Sequence, residues 1–214
     1  MKKVLILLSI LFIAFSALAE DLYIYDVYKF KMDKKDALKM KKAYDCSDIV
    51  GDDAVCFPGK EYEGIPTNIV LRFYYGKLMY VNLNFKYSDD NFSKIYKNLE
   101  KNYILAGIKG GIKGFDYFKV LKKYPVEFEA RKKRFIETYD KKGKISYVFY
   151  DKPSIQYLIK SADNIDYLIK NSPMNLKEAD LIKIKEGKEN ILILSIVYPK
   201  LATEFVKQES KKKK

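Results

Sequence analysis

The sequence predicts an α+β fold in which an antiparallel sheet, built from hairpins, packs against short helices. Two observations favour this class. Pairs of segments rich in Val, Ile and Tyr alternate between apolar and polar residues, and a glycine-containing turn separates the members of each pair. Between these pairs lie segments whose apolar residues recur at helical spacing. A parallel sheet would instead show single strands alternating regularly with helices.

The first 19 residues have the three parts of a secretory signal peptide. Met1-Lys2-Lys3 is positively charged, residues 4–15 are apolar except for one serine, and Ala17-Leu18-Ala19 is a small-x-small cleavage site. A membrane anchor would need about 20 apolar residues, which is more than this segment offers. We therefore expect cleavage before Glu20, export to the periplasm or the medium, and no transmembrane segment in the mature chain.

The first elements of the mature chain lead into a loop with two cysteines. Tyr, Val and Ile dominate residues 22–30 and predict a strand, and a helix is expected to begin after Asp33. The only two cysteines, Cys46 and Cys56, enclose nine residues. In an oxidising compartment this pair predicts a structural disulfide, whereas a redox-active pair usually has C-x-x-C spacing.

Residues 68–75 and 78–87 form the clearest hairpin pattern, with a predicted turn at Gly76-Lys77. One face of this hairpin is apolar, which indicates a sheet with one covered face. Side chains alternate along a strand, so the opposite face carries the more polar set. This set provides the candidate binding residues: Arg72, Tyr74, Tyr80 and Asn82.

The remaining elements are predicted in chain order. A helix capped by Ser88 or Asp89 is expected to cover the apolar face of the first hairpin. Residues 107–114 repeat Gly-Ile-Lys-Gly and predict a flexible connector. The later patterns predict a second hairpin (126–139 and 145–150), two short helices (154–161 and 164–171) and a third hairpin around Gly187 (181–184 and 191–198).

These elements predict one α+β domain over residues 20–206, followed by a frayed basic tail at 207–214. A hairpin followed by a helix occurs twice in this order. The repetition allows two similar halves in tandem, 20–106 and 115–206, joined by the glycine-rich connector.

The start of this domain resembles small bacterial envelope proteins. The run Met32-Asp33-Lys34-Lys35-Asp36-Ala37-Leu38 follows a strand and precedes a loop and a hairpin with the turn Tyr75-Gly76-Lys77-Leu78. Over residues 24–103 this order is similar to the helix-then-antiparallel-sheet modules of outer-membrane assembly lipoproteins and of β-lactamase-inhibitor-like proteins. The resemblance implies binding of other proteins without catalysis, and it assigns no functional residue. The lipoproteins' anchoring cysteine has no counterpart after the signal segment.

The composition excludes several kinds of active site. The chain has no histidine, which excludes Ser-His-Asp catalysis and His-ligated zinc, and two cysteines cannot form a four-cysteine metal site. Nucleic-acid recognition favours Arg, yet only Arg72, Arg131 and Arg134 are Arg among 41 basic residues. We therefore expect no cofactor, no metal ion and no nucleic-acid partner. The formal charge of +13 leaves attraction to an anionic envelope surface open.

Three further patterns are weaker signals of a calcium site, a phosphate site and a glycosidase site. Acidic residues gather near the cysteines, but their spacing differs from a calcium loop and favours a solvated turn: Asp45, Asp48, Asp52 and Asp53. Residues 107–114 have the glycines of a phosphate cradle without the Gly-Lys-Ser/Thr of a Walker motif. Glu127 and Glu129 lie on one face of a predicted strand, about 7 Å apart, which leaves glycoside hydrolysis open.

We expect an exported, non-catalytic binding or envelope-associated protein whose partner is an envelope protein or an anionic envelope surface. Tyr and Arg dominate interface hot spots, so the polar side of the first hairpin is the candidate binding surface. The other interpretation of this surface is that a further element packs over it. The alternative function is a carboxylate-dependent hydrolase acting on an envelope glycan. The sequence identifies neither the ligand nor the oligomeric state.

Overall fold

Residues 22–187 and 189–212 are described by a computed structural model, and the predicted signal segment, residues 1–19, lies outside them. The described strands are β1 (Tyr23–Tyr25), β2 (Tyr28–Lys29), β3 (Tyr44–Asp45), β4 (Ala54–Tyr62), β5 (Ile65–Tyr74), β6 (Lys77–Lys86), β7 (Tyr103–Gly110), β8 (Lys113–Asp116), β9 (Lys144–Asp151), β10 (Glu178–Glu186) and β11 (Glu189–Val197). The described α-helices are α1 (Lys34–Leu38), α2 (Ser47–Val50), α3 (Asp89–Asn102), α4 (Tyr117–Lys123), α5 (Phe128–Asp140), α6 (Lys152–Ile155), α7 (Ile165–Asn171) and α8 (Pro199–Lys212).

One antiparallel sheet of nine strands organises the chain, in the order β3-β4-β5-β6-β11-β10-β9-β7-β8. The predicted α+β class is confirmed. Two meanders of three strands, β4-β5-β6 and β9-β10-β11, meet at the centre where β6 pairs with β11. A helix of 14 residues follows each meander, α3 after the first and α8 after the second.

The first and third predicted hairpins are confirmed as β5-β6 and β10-β11. The turn of β5-β6 consists of Tyr75 and Gly76, one residue earlier than predicted. Both residues have a positive φ, 52° and 71°, as a two-residue type I′ turn requires. The predicted helix after this hairpin is α3, and the Ser88 hydroxyl caps it by accepting a hydrogen bond from the Asn91 amide.

Residues 128–140 form α5, so the prediction of a strand at 126–139 is wrong. Phe128, Phe135 and Tyr139 pack on the core from one side of this helix, whereas on a strand they would divide between both faces. The second strand of that predicted hairpin exists as β9, but it pairs with β7 and β10.

The glycine-rich segment 107–114 lies within the β7-β8 hairpin at one edge of the sheet, where a flexible connector was expected. The sheet is therefore continuous through both of the expected halves. Gly110 lies directly beneath the Tyr139 ring, and a Cβ at this position would overlap that ring. The absence of a side chain lets α5 pack closely on β7.

Both ends of the described chain also differ from expectation. Residues 22–30 fold back on themselves as the β1-β2 ribbon instead of forming one strand. Residues 207–212 continue α8 where a frayed tail was predicted. Lys207, on this helix, lines a cavity together with Tyr74 and Tyr80 of the sheet. A salt bridge of 2.5 Å joins Lys212 to Glu209.

The two faces of the sheet differ in what covers them. On the core face, α3 buries Ile95 and Leu99, whose exposed fraction is at most 3%, and α5 packs beside them. On the opposite face, which we call the polar face, three small apolar clusters lie at the margins, under α8, under α6 with α7, and at the disulfide. The middle of the polar face carries polar side chains together with Ile182 and Ile193, which lie between Asn84 and Ser146.

The predicted disulfide joins Cys46 to Cys56, with 5.8 Å between the two Cα atoms. It ties the segment before α2 to β4, at the margin of the polar face beside Val70. A bridge that closes so short a loop stabilises the fold by about 2–3 kcal/mol in the chain-entropy model.

Candidate functional site

The four candidate binding residues lie together on the polar face. Arg72 on β5 is directly opposite Tyr80 on β6, and Asn82 is two residues further along the same strand. Tyr74 lies beyond a bulge in β5, and its ring centroid is 6.1 Å from that of Tyr80. The structure thus brings all four residues to one side of the sheet, as strand alternation predicted.

The four side chains differ in how exposed they are and in whether they are paired with other residues of the chain. Arg72 forms a salt bridge with Asp52. Tyr80 is part-buried against α8, and burial is the main cause that raises its pKa, with smaller contributions from Tyr74 and Glu178. Tyr74 is 45% exposed. The two tyrosines and α8 together line a cavity of about 260 Å³.

The centre of the polar face is a cross-strand row of polar residues that extends from Asn82. The register places Asn82 on β6 opposite Ser195 on β11, and Ser195 opposite Asp180 on β10. A parallel row two residues further along holds Asn84 on β6 and, three strands away, Ser146 on β9. Since neighbouring strands are about 4.8 Å apart, these rows extend over about 10–15 Å of the sheet.

Four oxygen atoms in these rows are buried and accept no hydrogen bond from any described residue. They are Asn82 Oδ1, Asn84 Oδ1, Ser146 Oγ and Asp180 Oδ1. Leaving a buried polar group without a partner costs about 1–3 kcal/mol. An aliphatic residue would suit a half-covered strand better, so stability alone does not explain the polar side chains at this place.

Asp180 is the most perturbed acid on this face. Its carboxylate is 19% exposed; burial, followed by the nearby charge of Glu178, raises its pKa to about 6. The Lys109 ammonium opposes this shift from 3.4 Å away and also lies 3.7 Å from the Glu178 carboxylate. The Lys109 ammonium is therefore shared between the carboxylates of Glu178 and Asp180. The Oδ1 atom of Asp180 has no hydrogen-bond partner among the described residues.

Three of the four acidic residues near the disulfide form salt bridges with cations of the chain. The Lys34 ammonium lies 2.7 Å from Asp45 and 2.5 Å from Asp53, while Asp52 pairs with Arg72. Hydrogen bonds from Lys34 and then from Ser47 hold the pKa of Asp45 well below its usual range. These contacts make the cluster an ion-pair network between the loop, α1 and β5.

Glu127 and Glu129 do not form the expected pair on a strand face. Glu127 is the N-cap of α5 and Glu129 lies in its first turn. Residues two apart do not face each other on a helix. Each carboxylate is bound to a cation one turn along the helix, Glu127 to Arg131 at 2.7 Å and Glu129 to Lys132 at 2.6 Å.

No protein family, curated protein or solved structure matches this chain. The resemblance to envelope lipoprotein and inhibitor modules therefore stays a prediction. Within residues 22–187 and 189–212, no helix is both long and apolar enough to cross a membrane.

The sequences of β10 and β11 contain a signal for the central rows. Ser195 interrupts an otherwise apolar strand, and Asp180 and Glu178 alternate with apolar residues on the partner strand. Alternation alone places each residue on a face of its own hairpin. Only the pairing of β6 with β11 places Asp180 two strands from Asn82.

Proposed function

We propose that this protein is an exported, non-catalytic binding protein, and that its polar face binds another component of the envelope. The observation that supports this most strongly is the set of four unpaired oxygens on two adjacent rows of the sheet. Carboxamide and hydroxyl groups turn about their terminal torsions, so an approaching partner that donates hydrogen bonds replaces an unpaired acceptor by a paired one.

The shape of this face suits a protein partner better than a small molecule. The central rows lie on the open side of the sheet, and Asp180, Asn82 and Ser146 do not line any of four cavities of about 260–480 Å³ that occur among the described residues. Small-molecule sites are concave, whereas protein interfaces bury broad surfaces around a few aromatic or Arg anchors. Tyr74, at the end of the same face, supplies an exposed aromatic side chain of this kind.

A hydrolase acting on an envelope glycan is the competing function. Glu178 and Asp180 are two carboxylates on the same side of β10, and both lie within 4 Å of Lys109. A glycosidase also needs a cleft that holds the sugar between its two acids. Glu178 and Asp180 do not line any of the four cavities named above, and a shared cation, Lys109, lies beside both carboxylates, so binding is the function that we propose.

The test uses the exported chain, tagged and captured from envelope extracts at two salt concentrations. Asn82→Val combined with Asn84→Val removes two unpaired acceptors from the face and is expected to abolish capture of the specific partner. Asn190→Val is the matched control, because Asn190 is an exposed asparagine on β11 that lies on the same side of the strand as the core-facing Leu192 and Leu194, off the polar face. We expect the control to retain capture.

Equal capture by the double variant and the wild type would refute the proposed binding face. Hydrolysis of envelope glycan by the purified protein, lost in Asp180→Asn and retained in Asp48→Asn, would instead establish the competing enzymatic function. Asp48 suits this control because it is an exposed carboxylate on α2, outside the central rows.

A further inference from the structure

A second candidate site lies on the other side of the sheet, between α4 and α5. A cavity of about 330 Å³ opens there, within the range of about 300–1,000 Å³ typical of ligand sites. Phe115, Val120, Phe135 and Tyr139 give it apolar walls, and Tyr124 lies at its side. None of these residues belongs to the polar face, so the site is independent of the function proposed above.

Two of the three arginines of the chain line this cavity. Arg131 and Arg134 are three residues apart on α5 and therefore share one side of the helix. Arg131 is held in place, because its guanidinium carbon lies 3.7 Å from the Tyr124 ring centroid and Glu127 accepts a hydrogen bond from its Nε at 2.8 Å. Arg134 is exposed and makes no salt bridge with any described residue.

The surroundings of the cavity are strongly basic. Residues 117–144, which include α4 and α5, contain ten Lys or Arg and four Asp or Glu. The Lys123 ammonium lies 5.2 Å from the centroid of the Tyr124 ring, so this ring has a cation from each of two helices near it. The site therefore combines apolar walls with a positive rim, which complements a ligand that has an apolar chain and an anionic head.

Exposed apolar side chains occur beside the same cavity. Val126, two residues after Tyr124, is 97% exposed, and Leu121, next to Val120, is 50% exposed. Ile112, two residues after the glycine that packs under Tyr139, is 100% exposed. Exposed apolar residues among lysines and tyrosine are the combination with which proteins dock on anionic membranes.

We propose that the cavity between α4 and α5 receives an acyl chain of an anionic phospholipid at a membrane surface, with the lipid phosphate between Arg131 and Arg134. Val126 and Leu121 enter the interfacial layer beside this lipid. The surrounding lysines attract the anionic surface and orient the molecule with α4 and α5 towards the membrane. In this orientation the polar face, on the opposite side of the sheet, points away from the bilayer.

Sedimentation with phosphatidylcholine vesicles, prepared with and without phosphatidylglycerol, tests the proposal. We expect binding only to the anionic vesicles. Arg134→Gln should weaken this binding about fivefold, the contribution of one basic residue near an anionic surface. Lys211→Gln is the charge-matched control, since Lys211 is an exposed lysine on α8, on the polar-face side of the sheet, and it should leave binding within twofold of the wild type.

A second pair of variants tests the apolar contacts. Val126→Asp places a charge where the side chain makes almost no contact with the fold, so stability should be unchanged while vesicle binding is lost. Ile49→Asp is its control, because Ile49 is 77% exposed on α2, away from the cavity. If Val126→Asp binds as well as Ile49→Asp does, membrane insertion at this site is refuted.

Soluble ligands distinguish a membrane lipid from other anions. Competition by inorganic phosphate would identify a free anion as the ligand and overturn the proposal. Binding of monomeric dodecyl phosphate without any binding to anionic vesicles would identify a soluble amphiphile instead, and would also overturn it. Equal binding of the wild type to neutral and anionic vesicles would show that Arg131 and Arg134 do not select an anionic lipid, and would overturn the proposal.

Discussion

The ammonium of Lys109 reaches across β9 to the carboxylate of Asp180, 3.4 Å away. Lys109 is on β7 and Asp180 is on β10, so the contact passes over the strand between them. It joins the edge of the sheet to the centre of the polar face. The contact leaves the other Asp180 oxygen, Oδ1, buried and without a hydrogen-bond partner among the described residues.

Asp180 should make the stability of the protein fall as the pH rises. Its folded-state pKa of about 6 is above the ordinary value of about 4, so between these values the folded state binds more protons than the unfolded state. The stabilising contribution is complete below about pH 4 and is lost as the pH passes through about 6.

Asp180→Asn removes this dependence. Relative to the wild type, the variant should gain about 2–3 kcal/mol of unfolding free energy between pH 4 and pH 7. Urea unfolding at both pH values measures the difference. Asp48→Asn, at an exposed position, should show no such gain. A difference between Asp180→Asn and the wild type that stays constant with pH would show that Asp180 titrates normally.

Replacing the polar rows by aliphatic residues should stabilise the fold. Asn82→Val and Asn84→Val each remove a buried oxygen without a partner and introduce a residue that favours strands, so each should raise the free energy of unfolding by about 1 kcal/mol. Chemical denaturation of the single variants measures this. Destabilisation by either substitution would indicate that the asparagine side chain supports the sheet.

Tyr74 and Tyr80 should respond differently to truncation. Tyr80 is part-buried against α8, so Tyr80→Ala should lower the free energy of unfolding by about 2 kcal/mol or more. Tyr74 is 45% exposed and loses mainly its ring contact with Tyr80, so Tyr74→Ala should cost about 0.5–1 kcal/mol. Thermal and urea unfolding of the two single variants compare these losses. Equal losses would contradict the packing of α8 over Tyr80.

Gly110 should tolerate no side chain. Gly110→Ala directs a methyl group into the Tyr139 ring and forces α5 away from β7, so it should destabilise the protein by about 2 kcal/mol or more. Gly114→Ala is the control, because a Cβ at Gly114 meets no atom within 4 Å. Similar melting temperatures for the two variants would show that Tyr139 moves aside without cost.

Much of the local structure followed from short-range patterns. Period-two alternation predicted the β5-β6 hairpin and placed Arg72, Tyr80 and Asn82 on its polar side. The spacing of two cysteines predicted the disulfide. The strand prediction for 126–139 is wrong because the aromatic residues Phe128, Phe135 and Tyr139, which are common in strands, here repeat at helical spacing and lie on one side of α5.

The central rows of the polar face and the cavity between α4 and α5 depend on long-range contacts. Asn82 and Asp180 are almost 100 residues apart in the chain, and hydrogen bonding of β6 to β11 and of β11 to β10 makes them neighbours. The period-two pattern shows which face of a hairpin each residue lies on, but it does not show which hairpins pair with each other. The order of the strands is set by the burial of the shared core face, a property of the whole chain. For this reason the amino-acid pattern determined the β5-β6 and β10-β11 hairpins, the Ser88 cap of α3 and the disulfide, while tertiary packing decided which polar residues meet.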